Sequence, residues 1–225
     1  MTIEKFIMIV QVIMVLSGVI VVLSWVHFKR RTIEIKLIGL NYVPPILGYF
    51  SLSIFNLRGL PVNIPQNIET YCHFVILGTL YYLALQKRYT RIFVAVFIVF
   101  SIFAFINAFF IQKMYFNSYT LALSNGILIV YCVTYFYRLL VDLPAQHLQR
   151  LPMFWFSVAF LMHAAAAQFL YLFTAYLTKF FFNDVLIYWT VHNILNIFQE
   201  ILIIIGLAVD LKNITSTRVS VIKNI

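Results

Sequence analysis

Of the 225 residues, 63% are hydrophobic and only 10% are charged. Soluble domains carry roughly a quarter charged residues and about half apolar ones. This much Phe, Leu, Ile and Val therefore excludes a water-facing fold and leaves no room for a soluble catalytic domain beside it. The net charge of +9 sits in short basic clusters between apolar runs, which is the pattern of an orientation signal against anionic lipid and not of a nucleic-acid binder.

A helix needs about 20 mostly apolar residues to cross the hydrocarbon core. Stretches at about 6–27, 35–56, 67–86, 92–111, 118–138, 153–177 and 185–208 meet that requirement. The predicted fold is all-α: a single multi-pass bundle of seven transmembrane helices in the cell membrane, followed by a short cytoplasmic tail at about 209–225. The first run is longer than the apolar region of a cleavable signal peptide and is followed by Lys29, Arg30 and Arg31, so it reads as a retained helix. Pro44 and Pro45 interrupt the second run. Proline removes a backbone donor and clashes with the preceding turn, so a kinked or broken helix is expected there.

Basic residues orient the bundle. One side collects Lys29, Arg30, Arg31, Lys36, Lys87, Arg88, Arg91, Arg138, Arg150, Lys212, Arg218 and Lys223, leaving Lys5, Arg58, Lys113 and Lys179 for the other. The richer side is cytoplasmic by the positive-inside rule, which puts the C-terminus inside and the N-terminus outside. Trp25 and Trp155 then fall near the inner interface and Trp189 near the outer one. The sequon Asn213-Ile214-Thr215 lies on the inner side, where it would not be glycosylated. Cys72 and Cys132 lie inside apolar runs with no CxxC spacing and read as packing residues.

Polar side chains within membrane segments are costly unless partnered, which makes them functional candidates. The seventh helix carries Trp189, His192, Asn193, Asn196, Gln199 and Glu200, which at 100° per residue share an arc of about 120°. That face must turn inward. The third helix carries Gln66, Glu69 and His73 on one face. Glu69 and His73 are four residues apart, so a carboxylate–imidazole hydrogen bond is expected. The sixth carries His163, Tyr171 and Thr174 on one face with Gln168 to the side, and Ala164 to Ala167 suit close helix packing. Counted along the helices, His73 and His192 lie at similar depth and His163 about one turn deeper. The candidate ligand-binding set is therefore His192, Asn193, Asn196, Gln199, Glu200, Trp189, Glu69, His73, His163 and Gln168. Any metal would fall to His73, His163 and His192, and a haem to His73 with His192.

No cofactor is required by the sequence. Covalent retinal is excluded, because no lysine lies in the seventh helix. HxxxH and HExxH spacings are absent, and so are matched prolines in the two halves, which disfavours a zinc hydrolase and a repeat-built carrier. The expected function is non-enzymatic: a module that senses or binds a small ligand or proton and signals to a partner protein at its basic cytoplasmic face. Three other readings stay open. They are a haem- or metal-binding redox protein, a proton-coupled transporter relaying through Glu200 and His192, and a structural subunit whose polar stripe docks on another membrane protein.

Overall fold

The computed structural model describes residues 3–58, 63–112, 117–142, 148–180 and 185–223. The side chains at 3, 52, 53, 56, 57, 63, 174–180, 185–188 and 216–223 lie outside that description. Lys113, Pro144 and Asp184, and the side chains of Thr174, Lys179, Arg218 and Lys223, therefore fall outside the described set.

Every regular element among the described residues is helical. Helix α1 runs Ile3–Trp25 and is followed by a short 3-10 turn, Phe28–Arg30. His27, in the left-handed region at φ 58°, redirects the chain between them. The last carbonyls of a helix have no partner within it. Here the buried Arg31 side chain returns to accept that role, donating to the Leu23 oxygen at 2.9 Å and the Val26 oxygen at 3.1 Å.

The second predicted span is two helices, α2 (Ile33–Asn41) and α3 (Val43–Leu57). The break falls at Tyr42, whose N–H turns back to the Gly39 oxygen at 3.2 Å. Pro44 and Pro45 occupy the first turn of α3, where the missing N–H groups would have had no helical acceptor. The proline pair thus ends one helix and starts another.

Helix α4 spans Asn63–Ala84 and α5 spans Thr90–Ile106. Helix α5 widens into a π-turn at Asn107–Ile111, closed by the Gln112 N–H on the Asn107 oxygen at 2.8 Å. Helices α6 (Ser118–Asp142) and α7 (Pro152–Phe180) follow. Helix α8 runs Val185–Lys223. It does not stop near 208, and the stretch read as a tail continues the helix through 223.

The helices close into a ring. Helix α7 packs extensively on α6 and α8, α8 on α1, α1 on α2, α2 on α4, and α4 on α6. Helix α3 leans on α4, and α5 packs on α4 and α6 from outside. Two close contacts are set by small residues. Ala159 and Ala164 are fully buried, and a Cβ on Gly206 would lie 2.6 Å from the Phe156 ring. A buried chain of bonds ties three helices: Cys132 lies 3.0 Å from the Tyr81 hydroxyl, which donates to Ser157 at 3.2 Å. Cys132 is thus a packing residue with a polar contact.

Among the described residues, five helices are long and apolar enough to cross a membrane: Glu4–Trp25, Thr90–Ile111, Ser118–Asp142, Pro152–Phe173 and Trp189–Thr215. The other two predicted spans fall short by that measure. One is split at Tyr42, and α4 has a polar first half containing Gln66, Asn67, Glu69 and His73. Large apolar side chains such as Phe97, Ile98, Phe105, Phe110, Phe169 and Phe198 point outward. An apolar exterior of this extent suits contact with lipid hydrocarbon and not with water.

Candidate functional site

The ring encloses a cavity of about 190 Å³. Each element supplies what its inward face carries. Helix α1 gives Ile13 and Ser17, and the α2–α3 break gives Asn41, Tyr42 and Pro45. Helix α4 gives Glu69, Thr70 and His73, and α6 gives Leu121, Ser124 and Asn125. His163 and Tyr171 come from α7, and His192, Asn196, Gln199 and Glu200 from α8. Of the residues singled out from the sequence, Glu69, His73, His163, Tyr171, His192, Asn196, Gln199 and Glu200 meet around this one space.

The others stand apart from it. Trp189 stacks edge-on against His192, with ring centres 5.9 Å apart. Asn193 is half-buried and does not line the cavity. Gln168 is turned toward α6, where its amide nitrogen lies 4.0 Å from the Cβ position of Gly126.

Glu200 is buried, and one carboxylate oxygen accepts a hydrogen bond from Ser17 Oγ at 2.5 Å. Its partner is thus a serine on α1 and not a histidine or asparagine of its own face. His192 Nε2 lies 3.2 Å from the Asn196 amide one turn on and 3.5 Å from the Tyr171 hydroxyl. The His163 and His192 rings are 5.8 Å apart at 59°. This brings the α7 and α8 histidines to one place although 29 residues separate them in sequence.

Two expectations require correction. Glu69 does not bond His73. Its carboxylate instead lies against α3, where a Cβ on Gly48 would be 2.6 Å from Glu69 Oε2. The absence of a side chain at Gly48 makes room for the carboxylate, and this non-local fit overrides the local i,i+4 pairing. Second, His73, His163 and His192 do not form a metal-ligand set: among the described residues no three His, Cys, Asp or Glu side chains converge in that way.

Sequence reasoning missed Ser17, Asn41, Tyr42, Ser124 and Asn125. The available signal was weak. Ser17 is one of few polar residues in α1, and Asn41 immediately precedes the proline break.

Buried polar atoms in folded proteins almost always have a partner, whether protein or ordered water. Six cavity-lining atoms have no protein partner: Asn41 Oδ1, the Tyr42 hydroxyl, Asn125 Nδ2, His163 Nε2, His192 Nδ1 and Glu200 Oε2. At about 30 Å³ per water, the space suits several waters or one small polar molecule. Closer to the α5–α6 connection, the amide nitrogens of two asparagines are satisfied within the protein. Asn117 donates to Asn67 at 3.0 Å and Thr70 at 3.1 Å, and Asn107 donates to Thr120 at 2.8 Å. Asn107 Oδ1, Asn117 Oδ1 and Gln168 Oε1 are also buried without a protein partner, but the largest group of such atoms lines the cavity. No protein family, curated protein or solved structure matches the chain.

Proposed function

We propose that the chain is a seven-span cell-membrane protein, N-terminus outside, whose interhelical cavity binds a small polar ligand and whose last helix conveys occupancy to a partner protein in the cytoplasm. The carrying observation is the set of unpartnered buried polar atoms facing one cavity. A ligand that satisfies them removes a desolvation penalty of about 1–3 kcal/mol per group.

Helix α8 supports the second half of the reading. It supplies His192, Asn196, Gln199 and Glu200 to the cavity and continues unbroken to Lys223. At 1.5 Å per residue its length is about 60 Å, roughly twice the hydrocarbon thickness. Beyond the cavity it is held by Asp210, which pairs with the buried Arg31, and by Asn213, which donates to the Arg150 oxygen at 3.0 Å. A shift of α8 at the cavity therefore bears directly on the basic face.

The test uses Ser124→Cys in a Cys72→Ala/Cys132→Ser background. A small neutral methanethiosulfonate should label the cysteine from water and alter backbone amide exchange across 201–215 of α8. Labelling without any change in α8 overturns the coupling. A cysteine unreactive in the folded protein and reactive after denaturation overturns the cavity.

A second reading is favoured by the row of titratable groups Glu69, His73, His163, His192 and Glu200 around the same space. Such rows carry protons in transporters. Proton-coupled flux into liposomes, lost in Glu200→Gln, would distinguish it.

A further inference from the structure

We infer that the cavity selects a small organic cation, a primary ammonium ion of a few heavy atoms. This rests on the cavity being a ligand site. Among the described residues its charge is one-signed: Glu69 and Glu200 line it, and no lysine or arginine does. The buried Arg31 is about 15 Å farther along α8, judged from the ten-residue step between Glu200 and its partner Asp210.

Two unpartnered oxygens in the lining lie ready for a donor. Glu200 Oε2 and Asn41 Oδ1 are acceptors, belong to side chains 3% and 2% exposed, and have no protein partner. His163 presents its unpartnered Nε2, whereas His192 Nε2 accepts from the Asn196 amide, so the free His192 Nδ1 carries the proton and donates, as Asn125 Nδ2 and the Tyr42 hydroxyl can. An ammonium group offers three donors and no acceptor, so it pairs with the two carboxyl groups and Asn41 Oδ1. The aromatic rings of Tyr42 and Tyr171, also in the lining, suit the face of a cation. An anion would sit beside two carboxyl groups with no countercharge among the described residues, whereas a cation is the ligand that lets them ionise.

The titratable groups facing the site are Tyr42 at the α2–α3 break, Glu69 and His73 on α4, Tyr171 and His163 on α7, and His192 and Glu200 on α8. Helices α1 and α6 contribute only uncharged residues.

The Ser124→Cys protein in the same background reads this directly. Methanethiosulfonates bearing an aminoethyl, a sulfonatoethyl or a neutral alkyl group are compared, each rate normalised to that of a free small thiol. The aminoethyl reagent should exceed the sulfonatoethyl one by at least about tenfold, the lower end of electrostatic focusing in a low-dielectric cleft. Methylammonium should slow labelling by the neutral reagent, while acetate and sodium at equal ionic strength should not. Glu200→Gln should abolish the preference and the protection. Equal normalised rates, or protection by acetate or sodium as strong as by methylammonium, would overturn the inference. The protection measurement keeps Glu200 intact, so it decides the matter even if Glu200→Gln does not fold. Failure of all three reagents in the folded protein refutes the cavity itself, an outcome distinct from loss of cation preference.

Discussion

Ser17 on α1 and Glu200 on α8 are 183 residues apart in sequence and share a hydrogen bond of 2.5 Å inside the helix ring. It closes the bundle, joining the first helix to the last directly at the cavity wall. Ser17→Ala removes that donor from the carboxylate, at a cost of about 0.5–2 kcal/mol. The midpoint of unfolding in a mixed detergent should fall accordingly. Ser17→Thr, which keeps the hydroxyl, should recover most of the loss. Equal stability of Ser17→Ala and the parent would show that the bond contributes nothing.

Arg31 and Asp210 form a second link between the two chain ends. The Arg31 side chain is fully buried and also caps α1 through the Leu23 and Val26 oxygens. Removing one partner of a buried pair typically costs about 3–5 kcal/mol, because the other charge stays behind uncompensated. Asp210→Asn should therefore destabilise the protein more than the double replacement Arg31→Met/Asp210→Leu does per site. A double-mutant cycle in thermal unfolding tests this, and additive single effects would rule out the pairing.

Gly206 and Gly48 face different neighbours and should respond differently to alanine. At Gly206 the new Cβ would lie 2.6 Å from the Phe156 ring and 3.1 Å from Trp155 Cβ, with no flexible chain end to yield. Overpacking of this kind costs about 1–3 kcal/mol. At Gly48 the obstacle is only the carboxylate tip of Glu69, which can rotate away. Gly48→Ala should thus leave the unfolding midpoint nearly unchanged while displacing Glu69. Unfolding curves of the two variants, measured side by side, should separate clearly.

Membrane topology turns on one connection. If α2–α3 and α4 both cross, the exposed Arg58 at the end of α3 faces outward; if they dip in and return, it faces the cytoplasm. Arg58→Cys, in the background lacking Cys72 and Cys132, should react with a membrane-impermeant maleimide in intact cells. Reaction only after permeabilisation would leave five crossings.

The helices themselves were readable from the chain. Apolar runs of membrane length and the proline pair at 44–45 mark where helices form and where one must break, because both follow from local backbone chemistry. The polar arc of α8 was equally plain, since 100° per residue fixes which side chains share a face. Of that face, His192, Asn196, Gln199 and Glu200 line the cavity, while Trp189 and Asn193 do not.

Which partners it meets there depended on the tertiary structure. Ser17 is unremarkable within α1 until α8 packs across it, and Asp210 reads as a terminal charge until Arg31 folds back to it. Glu69 shows the limit most clearly. Helical spacing offers it His73 four residues away, but the space left by Gly48 on a different helix draws the carboxylate elsewhere. Helix periodicity is a property of one segment. Contacts between segments depend on the order and tilt of packed helices, which no local pattern encodes.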